Sequence, residues 1–237
     1  MILLAFDTSS RDASIALLRD GEIVLEYNFS SRDDLSAMLS PSLEFLLRSL
    51  GLKLSQIDLY AAAVGPGLFT GIRVGLATLK GLILAAGKPV VGVNTLEALA
   101  CKLADTRHTI VPMIDARKGE IYAAAYAFDA QPEGGRMVER LRPCLLKVEE
   151  AALVLGELPD KVFIGSGAEN HSDRLRRDFP GFRLLVRSNF LASEIGRIAL
   201  AGFQRGQFTT DPQDLHPFYI RRPDAETRRS PISSDVD

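Results

Sequence analysis

Two successive runs of strand-like and helix-like periodicity, in nearly the same order, constrain this chain more than any other feature. The first opens with apolar runs at residues 2–6, 13–18 and 22–29, separated by the turn signals Arg11-Asp12 and Asp20-Gly21, which predicts an antiparallel meander. Leu35, Met38, Leu39, Leu43, Leu46, Leu47 and Leu50 then recur at helical spacing until Gly51, where a helix would stop. Residues 58–64 read as a buried strand, 70–86 as a helix, 89–93 as a short strand and 95–103 as another helix, giving the order βββαβαβα. The second run predicts strands at 110–114, 121–128 and 137–146, a short helix at 149–155, a strand at 161–164, a helix at 168–178, a strand at 182–186 and a helix at 193–205. An α/β protein built from two such halves facing each other across a cleft is predicted. Residues 1–100 form the first subdomain, 101–220 the second, and 221–237, which lack apolar period, a flexible tail.

Composition narrows the classes of function. With 237 residues, 46% of them hydrophobic, there is apolar material for one large domain or two of ordinary size. A net charge of −2 gives no bulk attraction to nucleic acid, so RNA contact has to be local or come from a partner. Cys101 and Cys144 show no metal-ligand spacing and are too few for a disulfide framework, which predicts a reducing, cytoplasmic setting. The start of the chain reaches Asp7 without the basic residues or length of a secretory signal. The longest apolar stretch, 74–86, is interrupted by Lys80 and Gly81 and falls short of the roughly 20 residues of a bilayer span. No membrane segment is predicted.

One segment is built for close approach. Val64-Gly65-Pro66-Gly67-Leu68-Phe69-Thr70-Gly71-Ile72-Arg73-Val74-Gly75 joins a strand to a helix through a glycine-rich turn, whose helical amides would suit an anion. It matches neither GxxxxGK[ST] nor GxGxxG, since Lys80 lies well inside the helix. Gly71, Gly75 and Gly81 each cost the helix about 1 kcal/mol relative to alanine. Close packing, on the chain's own sheet or on a partner, is therefore expected of them. Asp7 ends a strand, where an acid serves a metal-bound phosphate in actin-like ATPases, but no glycine hairpin follows and a local turn or cap is the favoured reading. Gly165-Ser166-Gly167 reads as a strand-to-helix turn or as a second approach to a nucleotide. Asp115 and Glu120 read as the tip of a charged hairpin. His108, His171 and His216 lie too far apart to offer a helical pair to a metal. Arg221, Arg222, Arg228 and Arg229 read as a solvated tail.

These residues together resemble the bacterial TsaB family, also called YeaZ. The resemblance rests on Asp7-Thr8-Ser9, the run from Gly65 to Gly75, Gly92-Val93-Asn94-Thr95-Leu96, the run from Ile114 to Tyr122 and the run from Tyr219 to Glu226, in the same order over nearly the whole chain. It implies a duplicated actin-like ATPase fold (ASKHA, ribonuclease H-like). It also implies a part in placing threonylcarbamoyl on N6 of the adenosine beside the anticodon of tRNAs that read codons beginning with adenine. In that pathway one enzyme makes threonylcarbamoyl-adenylate and the paralogue TsaD transfers the group to tRNA. The TsaB-like chain is the companion of TsaD rather than the transferase.

The resemblance therefore implies no catalytic residue, metal or cofactor in this chain, with ATP and a metal belonging to the assembled system and TsaD. The paralogue carries two histidines, four residues apart, after the segment like Gly92-Val93-Asn94. Here Thr95 and Leu99 stand in their places, and leucine has no donor atom. Two departures from the family pattern are Leu68, commonly serine, and Leu35-Ser36, commonly a His-Ser pair. The expected partners are TsaD, the ATPase TsaE and tRNA as the substrate of the complex, with a homodimer when the chain is alone. Contact with TsaD is expected through Leu35, Met38 and Leu39 on the first helix and Phe69, Thr70, Gly71, Arg73, Val74, Gly75, Thr78 and Gly81 on the second. Asp7, Gly165 and Gly167 are the weak candidates for cofactor binding. The rival expectation, an independent ATP-dependent phosphotransferase on the same fold, needs Asp7 and the 165–167 turn to hold Mg-ATP. A metalloprotease needs a His or carboxylate cluster that the sequence does not offer.

Overall fold

A computed structural model describes residues 1–30, 35–129 and 136–221. The first half follows the predicted order. Strands β1 (Ile2–Asp7), β2 (Asp12–Arg19) and β3 (Glu22–Ser30) form the meander, followed by helix α1 (Leu35–Ser49), β4 (Leu59–Gly65), α2 (Phe69–Ala86), β5 (Val90–Asn94) and α3 (Thr95–Cys101). Their sheet has the order β3-β2-β1-β4-β5, with β4 parallel to both β1 and β5. The central strands are buried on both faces, which is why β1 and β4 read as continuous apolar runs rather than alternating ones. Gly51, at φ 63°, turns the chain out of α1 where the leucine period ends.

The second half contains β6 (Thr109–Arg117), β7 (Glu120–Asp129), β8 (Arg136–Lys147), α4 (Ala151–Leu155), β9 (Lys161–Ile164), α5 (Ser166–Asn170), α6 (Ser172–Asp178) and α7 (Ala192–Gln204). Its sheet has the order β8-β7-β6-β9. Two expectations fail here. The helix predicted over 168–178 is two short helices, because His171 leaves helical geometry at φ −113°, ψ 16°. The strand predicted over 182–186 makes a single bridge, Phe163 to Leu184. Phe182 instead turns its ring onto Phe163, 5.0 Å away, and joins the core by side-chain packing. Among the described residues the second half thus lacks a fifth strand.

The elements stack in layers. Leu4, Phe6, Ile15 and Leu17 face α1 and α2, whereas Leu3, Ala5, Ala16 and Leu18 face inward, in one core cluster with α3, α7 and the second sheet's Ile110, Ala124, Tyr126 and Val162. The outer face of the second sheet is covered by α4–α6. Helix α7 comes late in the sequence yet packs on the first sheet. Ser14 Oγ on β2 accepts from the amides of Leu191 and Ala192 at 3.1 and 2.9 Å, holding the start of α7. Gly196 lets α7 press down, since a Cβ there would lie 2.5 Å from Leu18 Cδ1. Helix α3 reaches the other way, onto β6 and β7. The halves are interlocked by exchanged helices rather than joined by a linker.

Helix α2 is longer than the apolar run read from sequence. Its 18 residues, with mean hydropathy 1.4, match a membrane span in length and composition. Gly71, Ile72, Gly75, Leu76, Leu79 and Ile83 are nevertheless buried in this domain, as expected of a core helix, and Arg73 is exposed on the other side.

Candidate functional site

The glycine turn is filled by the chain itself. Ser9 and Thr8, at the end of β1, run directly beneath the start of α2. A Cβ on Gly67 would collide with the carbonyl of Ser9, one on Gly71 with the carbonyl of Thr8, and one on Gly75 would lie 2.5 Å from Thr8 Oγ1. The Leu68 amide donates to Ser9 O at 2.6 Å and Thr8 Oγ1 donates to Gly71 O at 2.7 Å. Gly65, at φ 115°, has Phe218 O 2.8 Å from the position of a Cβ. Bare backbone is needed at Gly65, Gly67 and Gly71 because other backbone passes against them, and at Gly75 because the Thr8 side chain does. The smallness of Gly71 and Gly75 is thereby accounted for within the chain. Gly81, with nothing within 4 Å of a Cβ position, is open.

Asp7 does not face a crevice. It is fully buried, its Oδ1 accepts from the Ser9 amide at 2.8 Å, and its Oδ2 has no hydrogen-bond partner among the described residues. The favoured local-turn reading is the geometry observed. Burial pushes its pKa up to about 6, against the lowering effect of the Ser9 bonds and of Lys102. Nearby in the inter-sheet layer, Lys102 and Glu194 form a pair at 3.3 Å. Asp7 lines none of three cavities of about 460, 490 and 600 Å³.

The remaining sequence candidates are also occupied from within. A Cβ on Gly165 would lie 2.5 Å from both Leu99 Cδ2 and Met113 O, and one on Gly167 would lie 3.0 Å from Met113. These glycines let α5 and β9 close on β6 and α3. Asn94 caps α3 by accepting from the amides of Leu96 and Glu97, while Thr95 and Leu99 are buried. Among the described residues no three of His, Cys, Asp and Glu gather as a metal site. Asp115 and Glu120 lie on the β6–β7 hairpin as expected; the Asp115 carboxylate accepts from the Arg117 amide at 2.8 Å and from Asn170 Nδ2 at 2.8 Å. Cys101 and Cys144 are free thiols whose pKa burial raises, that of Cys101 to about 12. The phosphotransferase reading is not favoured by these surroundings, because Asp7 is fully buried and the 165–167 turn is packed against Leu99 and Met113.

What stays open is the outer face of α1 and α2. Of the residues expected there, Leu39 is buried and Leu35 is half-buried, its Cδ1 lying 3.5 Å from the Cβ position of Gly71. Met38, Thr70, Arg73 and Gly81 are exposed, and Phe69, Val74 and Thr78 are half-buried. Thr78 and Gly81 line a cavity of about 460 Å³ with Leu43, Leu47, Leu52 and Leu82. Sequence reasoning missed Phe45 and Leu84, exposed at 57% and 78%. Both are large apolar residues outside the buried set of their helix, and that mismatch was the available signal. At the start of α2, Phe69 stacks on Tyr219 with ring centroids 5.1 Å apart. The Arg73 guanidinium lies 3.7 Å over the Phe69 ring, and Arg73 Nε donates to Tyr219 Oη at 3.1 Å. Arg221 is not a solvated tail residue: it donates to Ala116 O at 3.3 Å and pairs with Glu120. Residues 222–237, including the other arginines, lie outside the described residues.

Two interlocked α/β halves, each with a meander leading into parallel strands and helices, define a duplicated protein of the actin-like class. A family model described as TsaD, tRNA N6-adenosine threonylcarbamoyltransferase, matches residues 30–179. The tRNA threonylcarbamoyladenosine biosynthesis protein TsaB of Bacillus subtilis (strain 168) is 30% identical over 192 residues, covering 72% of this chain and 82% of that protein. The TsaB protein of Escherichia coli (strain K12) is 37% identical over 133 residues, a match spanning 54% of this chain and only 56% of the relative's length. The structure of YeaZ from Pseudomonas aeruginosa superposes with a TM-score of 0.77 at 26% identity, over 92% of this chain and 99% of that one. The chain belongs to the TsaB (YeaZ) family.

Proposed function

We propose that this chain is a non-catalytic accessory subunit in threonylcarbamoylation of N6 of the adenosine beside the anticodon, and that it binds and supports the transferase TsaD through α1 and α2. The observation that carries this reading is the groove between α1 and α2, lined by Leu43, Leu47, Leu52, Leu54 and Leu82, on helices that also carry the exposed Met38, Phe45 and Leu84. An apolar groove of this kind is suited to be covered by a partner. Family membership supports TsaD as the partner and tRNA as the substrate. The burial of Asp7, Thr95 and Leu99 supports a division of labour in which ATP and the metal are handled by TsaD. TsaE is proposed as a third component, tRNA as the substrate of the assembly and the cytoplasm as its place. Self-association through the same face is proposed for the free chain, since covering an apolar patch is favourable. Titration of the purified chain into TsaD, with and without nucleotide and TsaE, tests the reading. A complex at micromolar concentration is expected; no association under any of these conditions would overturn it.

A further inference from the structure

We propose that residues 216–221 form a clasp across the carboxyl ends of both sheets, in which Tyr219 and Arg221 are positioning residues for the α2 end of the docking face. The path of the segment carries the inference. The Phe218 amide donates to Val64 O, at the end of β4, at 2.8 Å. The Phe218 carbonyl lies 2.8 Å from the Cβ position of Gly65, so any side chain at 65 would push the segment away. Tyr219 then stacks on Phe69 and accepts from Arg73, both in the first turns of α2. Two residues later Arg221 holds Ala116 O and Glu120, on the β6–β7 hairpin of the other half. Six residues thus touch the first half at β4 and α2 and the second half at β6 and β7. They run over the strand ends where open α/β sheets ordinarily receive ligands.

The start of α2 is held by Thr8 and Ser9 and, through Phe69 and Arg73, by this clasp. Its N-cap residue, Leu68, makes no side-chain cap bond, so the first turn lacks the usual local closure. The stack of Arg73, Phe69 and Tyr219 supplies packing there instead. Arg221 and Glu120 are each only 26% exposed, which makes their pair stronger than a fully solvated one. Releasing either contact frees one end of the clasp while leaving the inter-sheet core, which contains neither residue, intact.

The last step, from clasp to partner affinity, rests on the docking reading above, and the test separates the two. Hydrogen exchange is measured on the full chain and on Tyr219→Ala, Arg221→Ala, Tyr219→Phe and the charge swap Glu120→Arg with Arg221→Glu. Exchange at residues 69–73 should rise by about ten-fold or more in Tyr219→Ala, and at 116–121 in Arg221→Ala, with α7 and β1 unchanged. Affinity for TsaD should fall by about ten-fold in both. Tyr219→Phe should keep the stack and most of the affinity, and the charge swap should recover the part of the Arg221→Ala loss that comes from the pair with Glu120, which a general loss of folding would not allow. Unchanged exchange at both sites would overturn the clasp. If the unmodified chain fails to bind TsaD, the docking reading falls, and the exchange measurements still decide the clasp.

Discussion

At the scale of single residues, chemistry and packing compete for the same positions, and packing holds most of them. Asp7 is the clearest case, a carboxylate in a layer made for apolar side chains. Because its folded-state pKa is raised to about 6 from 3.8, the folded state binds a proton more tightly than the unfolded one. Its contribution to stability is therefore present in full below about pH 4 and is lost as pH rises through 6, a swing of about 3 kcal/mol. Asp7→Asn should stabilise the chain at pH 8 by up to that amount, and the advantage should vanish as pH falls to 4. Denaturant melts of both proteins across this range check it, and an advantage independent of pH would contradict the assignment. The glycines give a second contrast. Gly71→Ala forces a Cβ into the Thr8 carbonyl and should cost about 2 kcal/mol or more, whereas Gly81→Ala meets nothing and should gain about 0.5–1 kcal/mol of helix propensity. If the two substitutions shift the denaturation midpoint in the same direction, the packing account of the turn fails.

At the scale of elements, α1 and α2 divide their surfaces between the sheet and the outside. Leu84→Glu should leave the melting temperature within a few degrees, because its side chain already faces water, whereas Phe45→Glu also gives up the ring contact with Tyr27 and should cost somewhat more. Each should weaken association with TsaD by at least about ten-fold. Titration calorimetry reads this directly, and wild-type affinity in both variants would move the docking face elsewhere. The elements themselves were legible where periodicity was strong. The meander, α1, α2 and the hairpin at Asp115 emerged from leucine spacing and turn residues within a residue or two. The failures have local causes. At 182–186 an apolar run suited to a strand is drawn into the core through Phe182, and only one bridge to β9 forms. Helix α6 is separated from α5 where His171 leaves helical geometry, a break that the sequence does not mark with Gly or Pro. The glycine run was legible as a place of close approach. Its occupant, Thr8-Ser9, was not, because nothing in a linear pattern says which turn lies under which helix.

At the scale of the whole molecule, two exchanged helices and one clasp bind the halves into a single body. Sequence order put α7 with the second half, but Ser14 and Gly196 seat it on the first sheet. Arg221 read as part of a polar tail, yet it reaches the opposite hairpin. Both are long-range outcomes, set by contacts between positions more than 100 residues apart. The result is a two-sheet body in which residues 218–221 cross from the end of β4 to the β6–β7 hairpin and α1 and α2 leave an apolar groove between them. The most direct test is reconstitution of tRNA threonylcarbamoylation from purified components, with this chain present or omitted. Modified adenosine should form when TsaD, TsaE and this chain are combined with threonylcarbamoyl-adenylate, ATP and tRNA, and should fall to background when the chain is left out. Equal product without the chain, or product from the chain in the absence of TsaD, would contradict the account.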